Sequence, residues 1–329
     1  MTVLFKKISL LALLCSMSVS FYTGCGNGNK TSEPDTSYNE PVSDNKEGVS
    51  ITDSLGNSVT LNADSTVVSL YASYSECWLL AGGTLAGVTK DAFEERELGL
   101  SKDIKVVGSV KEPDLEAIIM LDPDYVIMSA DLTAHTDIEN NLKDAGISYG
   151  YYRVDTFSDY DYIMTQFCKV TGRDDLYHKN VIETSERIAS IKDTVQNAGM
   201  KSPTVLLMRA FSTGVKAKGD DNTAGMILKD LGCFNLVDNN PSLLEDLSVE
   251  EIIMSDPDYI FVTTMGDENE ALAYLEDNMI SNPAWSGLKA IENDCYHVLP
   301  KDLFHYKPNN RWDESYEYLA KILFPECFQ

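Results

Sequence analysis

Residues 115–127 read LEAIIMLDPDYVI, and residues 249–261 read VEEIIMSDPDYIF. Eight of the thirteen positions are identical, Glu116 with Glu250 and Pro123 with Pro257 among them. Each copy reads as a short helix, stopped by a proline that cannot continue it, and then a strand led by tyrosine. A solenoid would repeat at short intervals many times over. One recurrence at a spacing of 134 residues points instead to two similar α/β lobes.

Outward from the repeat, short β-branched runs alternate with helical patterns, the signature of βα units around a parallel sheet. Strands are expected at 66–70, 87–89 and 125–129 in the first half, and at 204–209, 259–263 and 296–299 in the second. Between the halves, 172–199 has no proline, is bounded by Gly172 and Gly199, and places apolar residues at Leu176, Val181, Ile182, Ile188, Ile191 and Val195. That spacing predicts one long helix bridging the lobes. A helical bridge restricts lobe motion more than a flexible crossover does, so modest closure is expected.

The 329-residue chain is 43% hydrophobic and 24% charged, with 26 Lys plus Arg against 52 Asp plus Glu and a net charge of -26. Such an excess of acid argues against a nucleic-acid partner, which needs clustered cations, and against adsorption to anionic lipid. Seven cysteines, an odd number, do not form the framework of a small disulfide-stapled domain. No disulfide is assigned among them, and Cys77, in an apolar run, reads as a small buried hydrophobe.

The N-terminus carries Lys6 and Lys7 and then an uncharged run from Ile8 to Gly24, the pattern of a secretory signal and too short for a membrane span. It ends in Tyr22, Thr23, Gly24 and Cys25, which resembles the lipobox of bacterial lipoproteins, with cleavage before an acylated Cys25. Residues 26–50 are rich in Gly, Asn, Ser, Asp, Glu and Pro and cannot bury enough surface to fold, so they read as a tether. The expected organisation is a signal peptide at 1–24, a disordered tether at 25–50, a first lobe at 51–171, the bridge at 172–199 and a second lobe at 200–329. Loss of the signal removes two positive charges and would leave the mature chain at -26 − 2 = -28.

Several runs together carry a family resemblance: VVSLYASYSECW at 67–78, AGVT at 86–89, both repeat copies, and PAWSGLKAIENDCYHV at 283–298. In that order they resemble the substrate-binding lipoproteins of ABC importers for iron–siderophore complexes, haem and vitamin B12, the class III periplasmic binding proteins. The resemblance covers nearly all of residues 50–326. It implies an α/β fold of two Rossmann-like lobes with mainly parallel sheets, joined by one long helix, with the ligand in the cleft between them. Asn293 and Asp294 stand where the family turns on glycine, and both residue types tolerate the left-handed conformation. The implied role is capture of an iron complex, a ferric siderophore foremost, and delivery to an ABC permease and its ATPase. A monomer is expected, without a cofactor of its own and touching the membrane only through its lipid anchor.

The family also docks one exposed glutamate per lobe into arginine-lined pockets of its permease, and the resemblance assigns this to Glu116 and Glu250. Asp114 and Ser248 read as N-caps, and Ser248 with Glu251 as a capping box that leaves Glu250 free. The competing structural reading is an acid that merely complements the helix dipole.

Ligand contacts are expected where strands end. Those positions hold Tyr71, Ser73 and Tyr74 after the first strand, Arg209 and Phe211 after the first strand of the second lobe, and His305, Tyr306, Lys307 and Arg311 near the end. They offer aromatic faces and cations to a large anionic ligand. Half-buried packing is an equal reading of Tyr71 and Tyr74. Arg209, following the apolar run VLLM, needs a partner. The four histidines, His135, His178, His297 and His305, are scattered, which disfavours a bare zinc or manganese site. His178 reads as a surface residue of the bridge. His305 is a candidate axial ligand to haem iron, as are Tyr71 and the methionines. The rival class, a surface-anchored hydrolytic enzyme, finds no Gly-x-Ser-x-Gly, no His-Glu-x-x-His and no phosphate-binding glycine loop.

Overall fold

The computed structural model describes residues 48–245 and 247–328. The expected signal peptide, the lipidation site Cys25 and tether residues 26–47 lie outside the described residues. The end of the tether is corrected: Val49 and Ser50 open strand β1 (Val49–Thr52), which pairs antiparallel with β2 (Ser58–Leu61). Ile51 and Leu61 of this hairpin are buried, and the Thr52 amide donates to Gln166 Oε1 at 3.2 Å. The alternation of Val49, Ile51, Val59 and Leu61 with polar residues is that of a half-buried strand pair adjoining a polar run.

In the first lobe β3 (Val67–Ser69), β4 (Gly87–Val88), β5 (Lys105–Val106), β6 (Tyr125–Ser129) and β7 (Ser148–Tyr152) form a parallel sheet ordered β5-β4-β3-β6-β7. The second lobe contributes β8 (Thr204–Phe211), β9 (Gly214–Ala217), β10 (Phe234–Asn235), β11 (Tyr259–Thr264) and β12 (Tyr296–Val298). Its parallel order is β10-β8-β11-β12, with β9 antiparallel on the second half of β8. All six expected strands are present. The others are short hairpin or edge strands.

The sequence repeat extends to individual hydrogen bonds. Helices Leu115–Met120 and Val249–Ser255 are followed by Asp122 and Asp256, at φ 43° and 45°, immediately before the prolines. The turn out of each helix is thus made by a left-handed aspartate, at a position where the following proline disfavours right-handed helix. Two residues on, Asp124 Oδ2 accepts from the Thr66 amide at 2.7 Å and Asp258 Oδ2 from the Thr204 amide at 2.9 Å. Each copy therefore ties its own strand to the neighbour in register, β6 to β3 and β11 to β8.

The expected bridge is helical from 174 to 197. Its segments are Asp174–Tyr177, a π turn at His178–Ile182, and Glu183–Asn197, flanked by left-handed Gly172 and Gly199. Asp294, at φ 57°, makes the expected left-handed turn before β12. Strand residues alternate between two faces, as side chains of a doubly covered sheet must. Val67, Tyr125, Ile127, Val205, Leu207 and Phe261 face one continuous cluster that also takes Val181, Ile188 and Val195 of the bridge and Trp312 and Tyr316 of the C-terminal helix Trp312–Leu323. Val68, Val126 and Met128 face a cluster confined to the first lobe, and Leu206, Met208, Ile260 and Val262 one confined to the second. The chain is α/β, two Rossmann-like lobes joined by one long helix with a cleft between them.

Candidate functional site: an aromatic cleft with an unpaired arginine

Where loops of the two lobes meet, adjoining cavities of ≈ 330 and ≈ 230 Å³ share the walls Tyr71 and His305. The first lobe supplies Tyr71 and Ser73 after β3, Asp91 and Arg96 after β4, and Lys111 after β5. The second lobe supplies Met265 after β11 and Arg209 from the second half of β8. These are carboxyl ends of parallel strands, where open α/β sheets take ligands, and the space suits a small organic molecule or chelate.

Tyr71 stands in extended backbone at the start of helix Ala72–Leu80, and its carbonyl accepts from the Ser75 amide at 2.9 Å. Asp91 reaches across to accept from the Ala72 amide at 2.8 Å, capping this helix from the start of the short helix Asp91–Glu94. The other Asp91 oxygen is buried without a partner, and burial raises the pKa of the group. Tyr306 lies between two cations, with Arg96 Cζ 5.9 Å and Lys301 Nζ 5.6 Å from its ring centroid. Its phenol is pushed up to about 12, by burial first and then by the Glu95 carboxylate. Arg96 pairs with Glu76 and donates to the Lys307 carbonyl at 3.1 Å.

Arg209 differs from these. Its Nε is buried without a hydrogen-bond partner, and burial lowers its pKa against the opposing charge of Asp221. His305 Nδ1 is likewise buried and unpartnered. Burial, then the charges of Lys301, Arg209 and Lys307, push the His305 pKa down to about 4, so the ring is neutral near pH 7. Lys307 Nζ sits 3.1 Å from Asp155 Oδ1 in the smaller cavity. Arg209 and His305, one cationic and one neutral and each with one buried, unpartnered nitrogen, thus line a space shared with the rings of Tyr71 and Phe304. Such a site can pair with an anion and stack a flat ligand.

The structure brings Tyr71, Ser73, Arg209, His305, Tyr306 and Lys307 to the cleft and leaves three expected contacts elsewhere. Tyr74 is fully buried, edge-on to Tyr71 and Tyr152 at centroid distances of 5.0 and 6.3 Å, because the first helical turn rotates it into the core. Phe211 ends β8 and covers Gly214 of its own hairpin. Arg311 is held by Asp302 at 2.8 Å and Glu314 at 2.8 Å, which satisfies its charge away from the cavities. Arg96, Asp91 and Lys111 escaped the sequence reading, although they follow expected or short strands at the same sheet edge.

On the repeat helices, Asp114 Oδ1 accepts from the Ala117 amide at 3.0 Å, as expected of an N-cap. Ser248 Oγ accepts from the Glu251 amide at 3.4 Å, but the capping box is corrected, because the Glu251 carboxylate does not return to the Ser248 amide; the Ser248 hydroxyl donates to Glu250 Oε2 at 3.0 Å. Glu251 instead accepts from Asn240 Nδ2 at 3.5 Å. The Glu250 pKa is lowered by its own backbone amide first and then by Ser248. Glu250 is therefore tied to the cap, not free of it, while both Glu116 and Glu250 remain exposed. His178 is on the surface of the bridge, 3.6 Å from Glu183. Among the described residues no cluster of three or more His, Cys, Asp or Glu is disposed to hold a metal ion, and no helix is long and apolar enough to cross a membrane.

Two parallel-sheet lobes, one helical bridge and a cleft at the carboxyl ends of both sheets define a solute-binding protein of the periplasmic type. Residues 67–303 match the periplasmic binding protein family, and the chain belongs to it. It is a substrate-binding protein of the transport class. It is 25% identical over 306 residues to the Fe(3+)-citrate-binding protein YfmC of Bacillus subtilis, covering 90% of each chain. It is 21% identical over 230 residues to the high-affinity heme uptake system protein IsdE of Staphylococcus aureus, covering 68% of this chain and 76% of that one. The fold superposes with a TM-score of 0.66 on the triscatecholate siderophore binding protein FeuA of Bacillus subtilis, complexed with ferri-bacillibactin, at 18% identity and covering 84% and 98% of the two chains.

Proposed function

We propose that this chain is an extracytoplasmic lipoprotein, anchored through Cys25, that captures a ferric siderophore and delivers it to an ABC permease and its ATPase. The observation that carries the ligand reading is Arg209: a half-buried cation, its Nε buried without a partner, in the wall of the smaller cavity beside Tyr71, Phe304 and His305. In a chain of net charge -26, a partly desolvated cation in a cavity wall, with no ion-pair partner among the described residues, is costly unless an anionic ligand balances its charge. Relatives named for ferric citrate and for haem uptake support an iron-bearing cargo. Permease docking falls to the exposed acids Glu116 and Glu250 of the two repeat helices.

One observation favours haem as a second reading. His305 Nδ1 is unpartnered and the ring is neutral near pH 7, which is the state an axial nitrogen ligand requires. An intrinsic-fluorescence titration with ferric citrate, ferri-bacillibactin, haem and cobalamin decides between them. Tight binding of a ferric siderophore alone supports the first reading, and tight binding of haem or cobalamin alone overturns it. Turnover of any of these ligands would return the chain to the enzyme class.

A further inference from the structure

Met120 and Met254 are 80% and 78% exposed, the two most exposed large apolar side chains among the described residues. They occupy the same position of the two repeats, four residues after Glu116 and Glu250. That spacing puts a carboxylate and a thioether on one face of each helix. Burial is available on these helices, since Ile118 and Ile252, two residues earlier, are 0% exposed. Ile119, 41% exposed, widens the apolar area in the first lobe. Both helices connect parallel strands and run back along their sheets, so their first turns lie at the strand ends from which the cleft loops emerge. Lys111, four residues before the first helix, lines the larger cavity.

Resting on the reading of the chain as the binding protein of an importer, we propose that Met120 and Met254 are the apolar anchors of its docking. Each enters a hydrophobic slot on the permease, beside a cation that pairs with Glu116 or Glu250. A partner that meets two like patches, one per lobe, presents two like sockets and covers the edge of the cleft from which ligand must leave. Methionine suits this task because its unbranched, polarisable side chain fills slots that are not exact matches, and it is enriched in interface cores. The charge of the chain selects the occupant. A second copy of this chain would set acid against acid within two molecules of net charge -26. A lipid surface gives no use to a carboxylate beside each thioether.

The test titrates the full chain, an M120Q/M254Q variant and an M120L/M254L variant onto the permease–ATPase complex in nanodiscs of zwitterionic lipid, and onto empty nanodiscs. Ferric citrate and haem serve as ligand probes for all three proteins. The Gln pair is expected to bind the complex about 10- to 100-fold more weakly, with melting temperature and probe binding unchanged, while the Leu pair keeps wild-type affinity. Wild-type affinity in the Gln pair overturns the anchors and leaves the proposed function standing. A loss seen equally on empty nanodiscs, or conversion of a wild-type dimer to monomer by the Gln pair, overturns them in favour of lipid or self-association. Failure of the wild type itself to bind the complex removes the anchors and the importer reading together.

Discussion

Asn309, fully buried and at φ 54°, donates from Nδ2 to the Ser73 carbonyl at 2.9 Å. Its Oδ1 accepts from the Cys77 thiol at 3.4 Å. A residue just beyond the cleft side chains His305 and Tyr306 is thereby fastened to the first helix of the opposite lobe. Nearby, Thr184 of the bridge donates to the Asn310 carbonyl at 3.4 Å, and Arg187 pairs with Asp313 at 2.5 Å.

Asn309→Ala is expected to cost about 2 to 4 kcal/mol, from buried hydrogen bonds left unmade and from alanine in a left-handed conformation. Asn309→Gly should recover the backbone share, about 1 kcal/mol, and none of the rest. Urea denaturation measures both, and an alanine variant as stable as the wild type would show that this tie holds nothing.

Arg209→Met should leave stability equal or raised, because it removes a desolvated charge whose Nε has no partner. The same change should weaken binding of an anionic ferric chelate about 10- to 100-fold, the worth of one charge-assisted hydrogen bond. The opposite pattern, lost stability with affinity intact, would make Arg209 a structural residue.

His135 predicts an acid-side loss of stability. It is fully buried, its Nδ1 accepts from the Ser129 amide at 2.9 Å, and its Nε2 lies 3.0 Å from the Val110 carbonyl. That pattern requires the neutral ring protonated on Nε2, since a second proton on Nδ1 would confront the Ser129 N–H. Burial lowers its pKa from 6.5 to about 4, against the Val110 hydrogen bond. The unfolded chain therefore takes up the proton first as pH falls below 6.5, and stability drops between 6.5 and 4 by up to about 3 kcal/mol. His135→Gln should lower stability at pH 7 and flatten this slope in denaturation series at stepped pH. An unchanged slope would place the titration on other groups.

Replacement of both Glu116 and Glu250 by Ala should spare ligand affinity and abolish uptake of the iron complex by whole cells. Normal uptake by the double variant would return both acids to the helix-dipole role.

How much was readable depended on whether a residue's environment is local. Tyr125–Ser129 and Tyr259–Thr264 are covered on both faces, so their apolar runs announce them. Strand β7, with sequence SYGYY, carries no aliphatic signal, and at Gly150 any Cβ would run into the Tyr125 hydroxyl, a residue distant in sequence. Two-residue strands such as β5 and β10 exist only by pairing with a neighbour. In the cleft, Tyr71 and Arg209 follow from the rule that ligands sit at strand ends. Arg96 obeys the same rule, since Lys90–Arg96 directly follows the expected strand at 87–89, but its value appears only once β4 lies beside β3. Arg311 was misplaced because spacing does not reveal that Asp302 and Glu314 converge on it.

The apolar cluster that runs from Val67 through the bridge to Phe261 and Trp312 also decides how the chain melts. Although the sequence is bipartite, neither half owns all the partners of its inner sheet face. A chain severed near residue 200 would bare that face on both fragments, so neither half should be autonomous. Residues 48–328 should unfold in one cooperative step, with ligand bound in the cleft raising a single midpoint rather than separating two.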